Sequence, residues 1–79
     1  MKNIIFYGAE WCSDCRRAKA FLESNQIQFN YIDMETVEGA VQKIVELNNG
    51  KRIIPTILID EAVYSNPNNL ELKQVLGIN

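Results

Sequence analysis

The sequence predicts an α/β domain with the element order β-α-β-α-β-β-α. Short stretches rich in β-branched and aromatic residues alternate with amphipathic stretches of helical period. The only two cysteines lie three residues apart, at the first change from strand pattern to helix pattern. A chain of 79 residues, 47% apolar and 23% charged, suits one small core and is too short for two. We therefore expect residues 1–79 to form a single domain with a four-stranded mixed sheet and three helices.

The first half of the chain predicts a strand, a helix and a second strand. Residues 3–7 are apolar and suited to a buried strand, and residues 12–25 have helical character. Residues 28–33 alternate and predict a strand parallel to the first, because a helix separates the two. The helix residues expected on the core side share helical spacing: Ala18, Phe21 and Leu22.

The second helix is expected over residues 37–48. Thr36 can cap its first turn, and Gly50 can take a left-handed conformation after its end. Its apolar residues recur at helical spacing and are expected to face the core: Val37, Val41, Ile44, Val45 and Leu47.

The rest of the chain predicts a hairpin and a last helix. Residues 53–59 suit a third strand with a proline near its start, and residues 62–64 suit its partner across a turn at 60–61. Asn66 and Pro67 indicate the start of the last helix, with the proline at its first position and Gly77 just past its end. Its packing residues are expected to be Leu70, Val75 and Leu76.

The cysteine pair carries the chemistry. Cys12 is expected at a helix N-terminus, where unpaired amides and the helix dipole stabilise a thiolate. Cys15 lies one turn further in and should be less exposed. Two cysteines on one helix face can close a small disulfide, so we predict that Cys12 attacks a target and that Cys15 resolves the mixed disulfide.

Charged neighbours act on this site in both directions. Glu10 and Asp14 oppose a thiolate at Cys12, whereas Arg16 and Arg17 favour it. Asp14 can also stabilise the first turn of the helix. Apart from any effect on Cys12, we expect the basic residues of this helix to form a solvated face: Arg16, Arg17 and Lys19.

Composition excludes several other functions. A net charge of −2 offers no basic surface for nucleic acid, and no apolar stretch is long enough to span a membrane. The apolar run near the N-terminus is too short for a signal peptide, so we expect a cytosolic protein, in which a CxxC pair is catalytic or metal-binding. Two cysteines without histidine do not complete a zinc site unless carboxylates or a second chain contribute, so no metal is expected.

With its CxxC after the first strand and its proline at the third, the chain resembles the thioredoxin fold in its minimal glutaredoxin form. The resemblance covers essentially the whole chain. The motifs that carry it are Trp11-Cys12-Ser13-Asp14-Cys15, Gly50-Lys51-Arg52-Ile53-Ile54-Pro55 and Ile57-Leu58-Ile59-Asp60.

The resemblance implies a substrate groove beside the cysteines. In the family, the proline matching Pro55 is cis and lies against the active cysteine. The backbone of Ile54 would then pair with an extended substrate as an added strand. Trp11 is expected at the rim of this groove, and Tyr7 either lines it or lies in the core.

Departures from the family pattern concern glutathione. Glutaredoxins commonly carry a basic residue at the position of Ala9 and a Gly-Gly pair followed by Asp where this chain has residues 65–69. Both features bind glutathione in the family. Arg52 matches a position that can meet a glutathione carboxylate, although it can equally be solvated surface.

Two other features resemble subgroups of the family. The Asn-Pro step before the last helix and the Trp before Cys12 are similar to mycoredoxins and to glutaredoxin-like redoxins linked to ribonucleotide reductase. Asn68 and Asn69 are expected to satisfy free amides of the last helix, at an end that also receives a substrate carboxylate in the family.

We therefore predict a glutaredoxin-like thiol–disulfide oxidoreductase without a tightly bound cofactor. Its substrates would be protein disulfides or small-molecule mixed disulfides. Glutathione, another small thiol or a flavin reductase would supply electrons, and a monomer is expected. The alternatives are monothiol deglutathionylation by Cys12 alone and a non-catalytic binding module, either an iron–sulfur cluster carrier or a thioredoxin-fold adaptor.

Overall fold

A computed structural model describes residues 2–78 of the chain and confirms the predicted element order. The elements follow the chain as β1 (Ile4–Gly8), α1 (Ser13–Ser24), β2 (Asn30–Asp33), α2 (Ala40–Leu47), β3 (Thr56–Ile59), β4 (Ala62–Ser65) and α3 (Asn69–Leu76).

The four strands form one mixed sheet in the order β2-β1-β3-β4. Strand β2 is parallel to β1, as expected for strands joined by a helix, and β3 is antiparallel to both β1 and β4. Asp60 and Glu61 form the two-residue hairpin turn with positive φ angles of 49° and 73°. This geometry matches the twist of the two strands that the turn joins.

The core lies between the sheet and the helices. The largest of its fully buried side chains within residues 2–78 come from strands and helices alike: Phe6, Leu22, Ile44, Ile57 and Leu72. The Phe6 ring packs against Phe29 and Tyr31, with centroid separations of 5.5 and 5.6 Å. Phe6 and Gly8 share one face of β1, and Cys15 of α1 lies over Gly8, so the same face supports the cysteine corner.

The predicted start of the second helix is wrong by three residues. Helix α2 begins at Ala40 after Gly39, which has a left-handed φ of 85°. The Asp33 side chain accepts a hydrogen bond from the Glu35 amide and its carbonyl accepts one from Val37, so the chain turns where the helix was expected. Thr36 therefore caps no helix, and Val37 is exposed instead of buried.

The last helix also begins later than predicted. Asn68 is its N-cap and accepts a hydrogen bond from the Glu71 amide, so Pro67 lies before the helix and not at its first position. Leu70 is 64% exposed, and Leu72 packs into the core in its place. Val75 and Leu76 are half-buried, and Gly77 ends the helix with a φ of 69°.

Two strands are shorter than their sequence patterns. Strand β2 begins at Asn30 instead of residue 28, and β3 begins at Thr56 instead of residue 53. Residues 53–55 form a separate segment before β3, which becomes important at the site.

Candidate active site

Cys12 occupies the N-cap position of α1, as the sequence predicted. Its backbone is extended, with φ −81° and ψ 117°, and its amide donates to the Ala9 carbonyl. The Cys12 Sγ accepts a hydrogen bond from the Cys15 amide at 3.2 Å. The sulfur therefore lies at the N-terminal end of α1, where the Cys15 amide points to it.

Cys15 lies one turn further along α1 and is fully buried, whereas Cys12 retains 9% exposure. Burial raises the pKa of the Cys15 thiol to about 12, and the neighbouring Cys12 adds to this effect. Both thiols are free. The two cysteines therefore differ as their proposed roles require, since the outer sulfur is at the helix start and the inner sulfur is protonated and enclosed.

Gly8 makes room for the inner cysteine. A Cβ at this position would lie 2.9 Å from the Cys15 Sγ and 3.0 Å from Phe6 Cε1. Glycine is thus the only residue type that fits without displacing its neighbours. A glycine at a strand end, four residues before the first cysteine of a CxxC motif, was a signal that the sequence analysis did not use.

The Ile54–Pro55 segment is fixed on both sides. The peptide bond between these residues is cis, and the Pro55 carbonyl accepts a hydrogen bond from the Asn66 amide at 2.7 Å. The Ile53 carbonyl accepts one from Thr56 Oγ1 at 2.6 Å. Between them, no backbone hydrogen bond involves Ile54 in the described part of the chain.

Trp11 and Tyr7 lie in different environments. Trp11 is 60% exposed, and its indole Nε1 donates to Glu35 Oε1 at 2.9 Å, which ties the ring to the loop after β2. Tyr7 is buried in β1 and pairs with Ile32 and Thr56 on the neighbouring strands. Of the two alternatives for Tyr7, the structure therefore places it in the core.

Arg17 is less solvated than predicted, with a side chain that is 32% exposed. Its guanidinium donates to the Pro67 carbonyl at 3.1 Å and to Asn69 Oδ1 at 2.8 Å, and it also contacts Asn66 and Asp14. It thereby joins the start of α1 to the start of α3. Sequence reasoning missed this role because it depends on residues about 50 positions away.

Lys19 is also less solvated than expected. Its Nζ lies 3.4 Å from Glu10 Oε2 and 4.1 Å from the centre of the Tyr31 ring. The Tyr31 hydroxyl is buried without a hydrogen-bond partner among residues 2–78, and burial raises the pKa of this phenol. Arg16 is exposed, as predicted, and donates to the Glu10 carbonyl.

The remaining residues predicted to bind substrate, Asn68, Asn69 and Arg52, have different environments. Asn68 caps α3 through its side chain, and Asn69 accepts from Arg17, so both satisfy groups of the fold. Arg52 is exposed and forms no ion pair within the described residues. Residues 2–78 contain no group of three or more Cys, Asp or Glu side chains placed to hold a metal ion.

A thiol at a helix start, a buried second thiol one turn away and a proline segment with a free backbone define a class of protein. Proteins with this arrangement on a thioredoxin-like fold are thiol–disulfide oxidoreductases.

None of the helices within residues 2–78 is long and apolar enough to cross a membrane.

Comparison with known proteins identifies the family. The glutaredoxin family model matches residues 4–63, and the chain belongs to this family, whose members are thiol–disulfide oxidoreductases. A Mycobacterium tuberculosis protein named as a glutaredoxin is 31% identical over 74 residues, which cover 92% of this chain and 88% of that protein. Mycoredoxin 1 of Corynebacterium glutamicum is 29% identical and covers 82% of this chain and 80% of its own length.

Further relatives agree with this assignment. The glutaredoxin-like protein NrdH of Lactococcus lactis is 29% identical over 78% of this chain and 83% of its own length. The solved structure of a mutant of the thioredoxin-like protein BC3987 covers all of both chains, with a TM-score of 0.86 and 26% identity. A buckwheat glutaredoxin solved in complex with glutathione has the same fold, with a TM-score of 0.74, 16% identity, and coverage of 98% of this chain and 72% of its own.

Proposed function

We propose that this protein reduces protein disulfides or small mixed disulfides through the dithiol pair of Cys12 and Cys15. The observation that carries the proposal is the geometry of the pair. The Cys12 Sγ accepts the Cys15 amide at the helix start, while the Cys15 thiol is enclosed beneath it. The outer sulfur is thus available as a nucleophile, and the inner one is held in reserve one turn away.

The exchange proceeds in two displacements. The Cys12 thiolate attacks one sulfur of the target disulfide, forms a mixed disulfide and releases the other sulfur as a thiolate, which takes up a proton. Cys15 then loses its proton, attacks the Cys12 sulfur, closes the Cys12–Cys15 disulfide and releases the second target thiol. The target gains two electrons and the protein loses two, and an external thiol or reductase returns them.

The free backbone of Ile54 supports an extended polypeptide as the substrate. An added strand would pair with its amide and carbonyl. This arrangement suits a protein disulfide presented on a loop or tail. Arg52 is available for an anionic group because it has no partner within residues 2–78.

The thiol that restores the dithiol is proposed to be glutathione or another small thiol, with a flavin reductase as the other source of electrons. A related fold binds glutathione in buckwheat, but here Ala9 replaces the usual basic residue, and Asn68 and Asn69 engage the fold itself. Weak use of glutathione is therefore expected. A cytosolic location, a monomeric state and a single domain over residues 1–79 remain predictions of the sequence.

The experiment that tests the proposal compares electron donors and cysteine variants. Reduction of a small mixed disulfide and of a protein disulfide is measured with glutathione plus glutathione reductase, and separately with thioredoxin reductase. Cys12→Ser should abolish turnover with either donor. Cys15→Ser, a matched change one turn away, should stop reduction of protein disulfides because the mixed disulfide is no longer resolved.

Other outcomes favour the alternatives. Full turnover by Cys15→Ser with glutathione would favour monothiol deglutathionylation by Cys12. No turnover with either donor, together with equally slow alkylation of Cys12 and Cys15, would favour a thioredoxin-fold adaptor. Visible absorbance in the purified protein would favour an iron–sulfur carrier.

A further inference from the structure

A partly buried chain of side-chain hydrogen bonds ends at the Ile54–Pro55 segment. Ser65 Oγ donates to Asn48 Oδ1, and Asn48 Nδ2 donates to Thr56 Oγ1 at 3.0 Å. The Thr56 hydroxyl in turn donates to the Ile53 carbonyl at 2.6 Å. The hydrogen bonds of this series all run in the same direction from donor to acceptor, so each bond strengthens the next.

The side chains that form this series of hydrogen bonds come from three different elements. Asn48 is the C-cap of α2, and its Nδ2 also donates to the Ile44 carbonyl at 2.7 Å. Thr56 is the first residue of β3, and Ser65 is the last residue of β4. Asn48 is only 7% exposed and Thr56 is fully buried, so loss of a partner would leave a buried polar group unsatisfied.

This series of hydrogen bonds determines which backbone groups of the Ile54–Pro55 segment are free. Thr56 Oγ1 holds the carbonyl that precedes Ile54, and the Asn66 amide holds the carbonyl of Pro55. With both neighbours fixed, the peptide groups of Ile54 have a single direction. They are left without backbone partners in the described part of the chain, at the position where an added strand would pair.

We propose that Asn48 and Thr56 are positioning residues, which orient the Ile54 backbone to receive an extended disulfide substrate. The inference rests on the proposed function, because it concerns how that reaction presents its substrate to Cys12. It distinguishes two substrate classes. A polypeptide disulfide uses the oriented backbone, whereas a small disulfide without a peptide chain reaches Cys12 without it.

The test uses Thr56→Val, which keeps the shape of the side chain and removes its hydroxyl, and Thr56→Ser, which keeps the hydroxyl. KM and kcat are measured for a peptide disulfide and for a small dialkyl disulfide. In Thr56→Val and in Asn48→Leu, KM for the peptide should rise by about 10-fold or more, because misplaced docking groups lose binding geometry. The increase for the small disulfide should be much smaller, and Thr56→Ser should restore the peptide KM.

Asn25→Ala is the matched control. Asn25 is the C-cap of α1, and its Nδ2 donates to the Phe21 carbonyl at 2.8 Å, the same bond that Asn48 makes at the end of α2. This variant loses a helix-capping bond of the same kind away from the Pro55 segment. Its peptide KM should therefore match that of the unmodified protein.

The proposal and the proposed function fail in different ways. If the unmodified protein reduces neither disulfide, the proposed function is wrong. If it reduces both, and Thr56→Val raises the two KM values equally or not at all, the positioning role is wrong. Should Asn48→Leu not fold, Ser65→Ala removes the first donor of the chain at an exposed position, and an unchanged peptide KM in both Ser65→Ala and Thr56→Val would overturn the inference.

Discussion

Replacing Gly8 with alanine tests how the structure holds the inner cysteine. Gly8 ends β1 and pairs with Asp33, and its carbonyl accepts a hydrogen bond from the Met34 amide. Its backbone is outside the left-handed region, so alanine meets no conflict from φ. The only obstacle is space, because the added Cβ would lie 2.9 Å from the Cys15 Sγ and 3.0 Å from Phe6 Cε1.

Two effects of opposite sign determine the magnitude. Glycine-to-alanine changes stabilise by ~0.4–1 kcal/mol where the backbone permits them, because the unfolded chain loses freedom. Overpacking of a filled core costs ~1–3 kcal/mol. Both contacts of the new methyl group involve fully buried side chains, Cys15 and Phe6. We therefore expect Gly8→Ala to lower the free energy of unfolding by roughly 1–2 kcal/mol.

The assay is urea unfolding of the reduced protein as a double-mutant cycle. Gly8→Ala is measured alone and in a Cys15→Ala background, where the sulfur that the new methyl group meets is absent. The penalty should shrink in that background by an interaction energy of ~0.5 kcal/mol or more. An unchanged penalty, or no penalty in the first variant, would refute the steric account of this corner.

Three further results are expected from other parts of the site. Because the Cys15 pKa rises from 9.0 to about 12 on folding, the unfolded chain loses this proton first, so stability should fall between pH 9 and 12. Urea unfolding of Cys15→Ala should show a shallower fall, and an equal one would contradict this. Arg17→Ala should lower the free energy of unfolding by ~1–3 kcal/mol, against under ~0.5 kcal/mol for the exposed Arg16→Ala. Glu35→Ala should free the indole of Trp11 and increase the quenching of its fluorescence by acrylamide. Unchanged quenching would contradict this prediction.

The regular elements could be predicted because their signals are local. Apolar and β-branched stretches indicated the strands, apolar periodicity and end signals indicated the helices, and Gly50 past the end of α2 has the positive φ that the sequence allowed. The helix starts were less predictable. Thr36 and Asp33 both suit a capping or turn role, and the choice between them depends on Gly39, whose left-handed φ prevents an earlier helix.

The positions of the two cysteines were predictable, and the side chains that support them were not. Cys12 and Cys15 could be placed because their spacing and helix start are local features. The partners of Arg17 and Asn48 could not be placed, because these side chains bond to residues brought near only by the fold. A buried asparagine at a helix end has no sequence pattern that separates it from an exposed one such as Asn49.

Asn66 joins two of the supports around Cys12. Its amide donates to the Pro55 carbonyl, and its side chain accepts from Arg17 and donates to Asp14. Its φ of 45° lies in the left-handed region, which asparagine tolerates better than most residues, and this turns the amide and the side chain toward different partners. The start of α1 and the Pro55 segment are therefore joined through one residue.

The contact between Trp11 and Glu35 shares no atom with the hydrogen bonds of Asn66. It links the cysteine corner to the loop after β2, and Asp33 fixes the Glu35 backbone independently. The two sides of the proposed groove are thus supported separately. We therefore expect substitutions at Trp11 to leave the hydrogen bonds on either side of Ile54 intact, because the two sets of contacts share no partner.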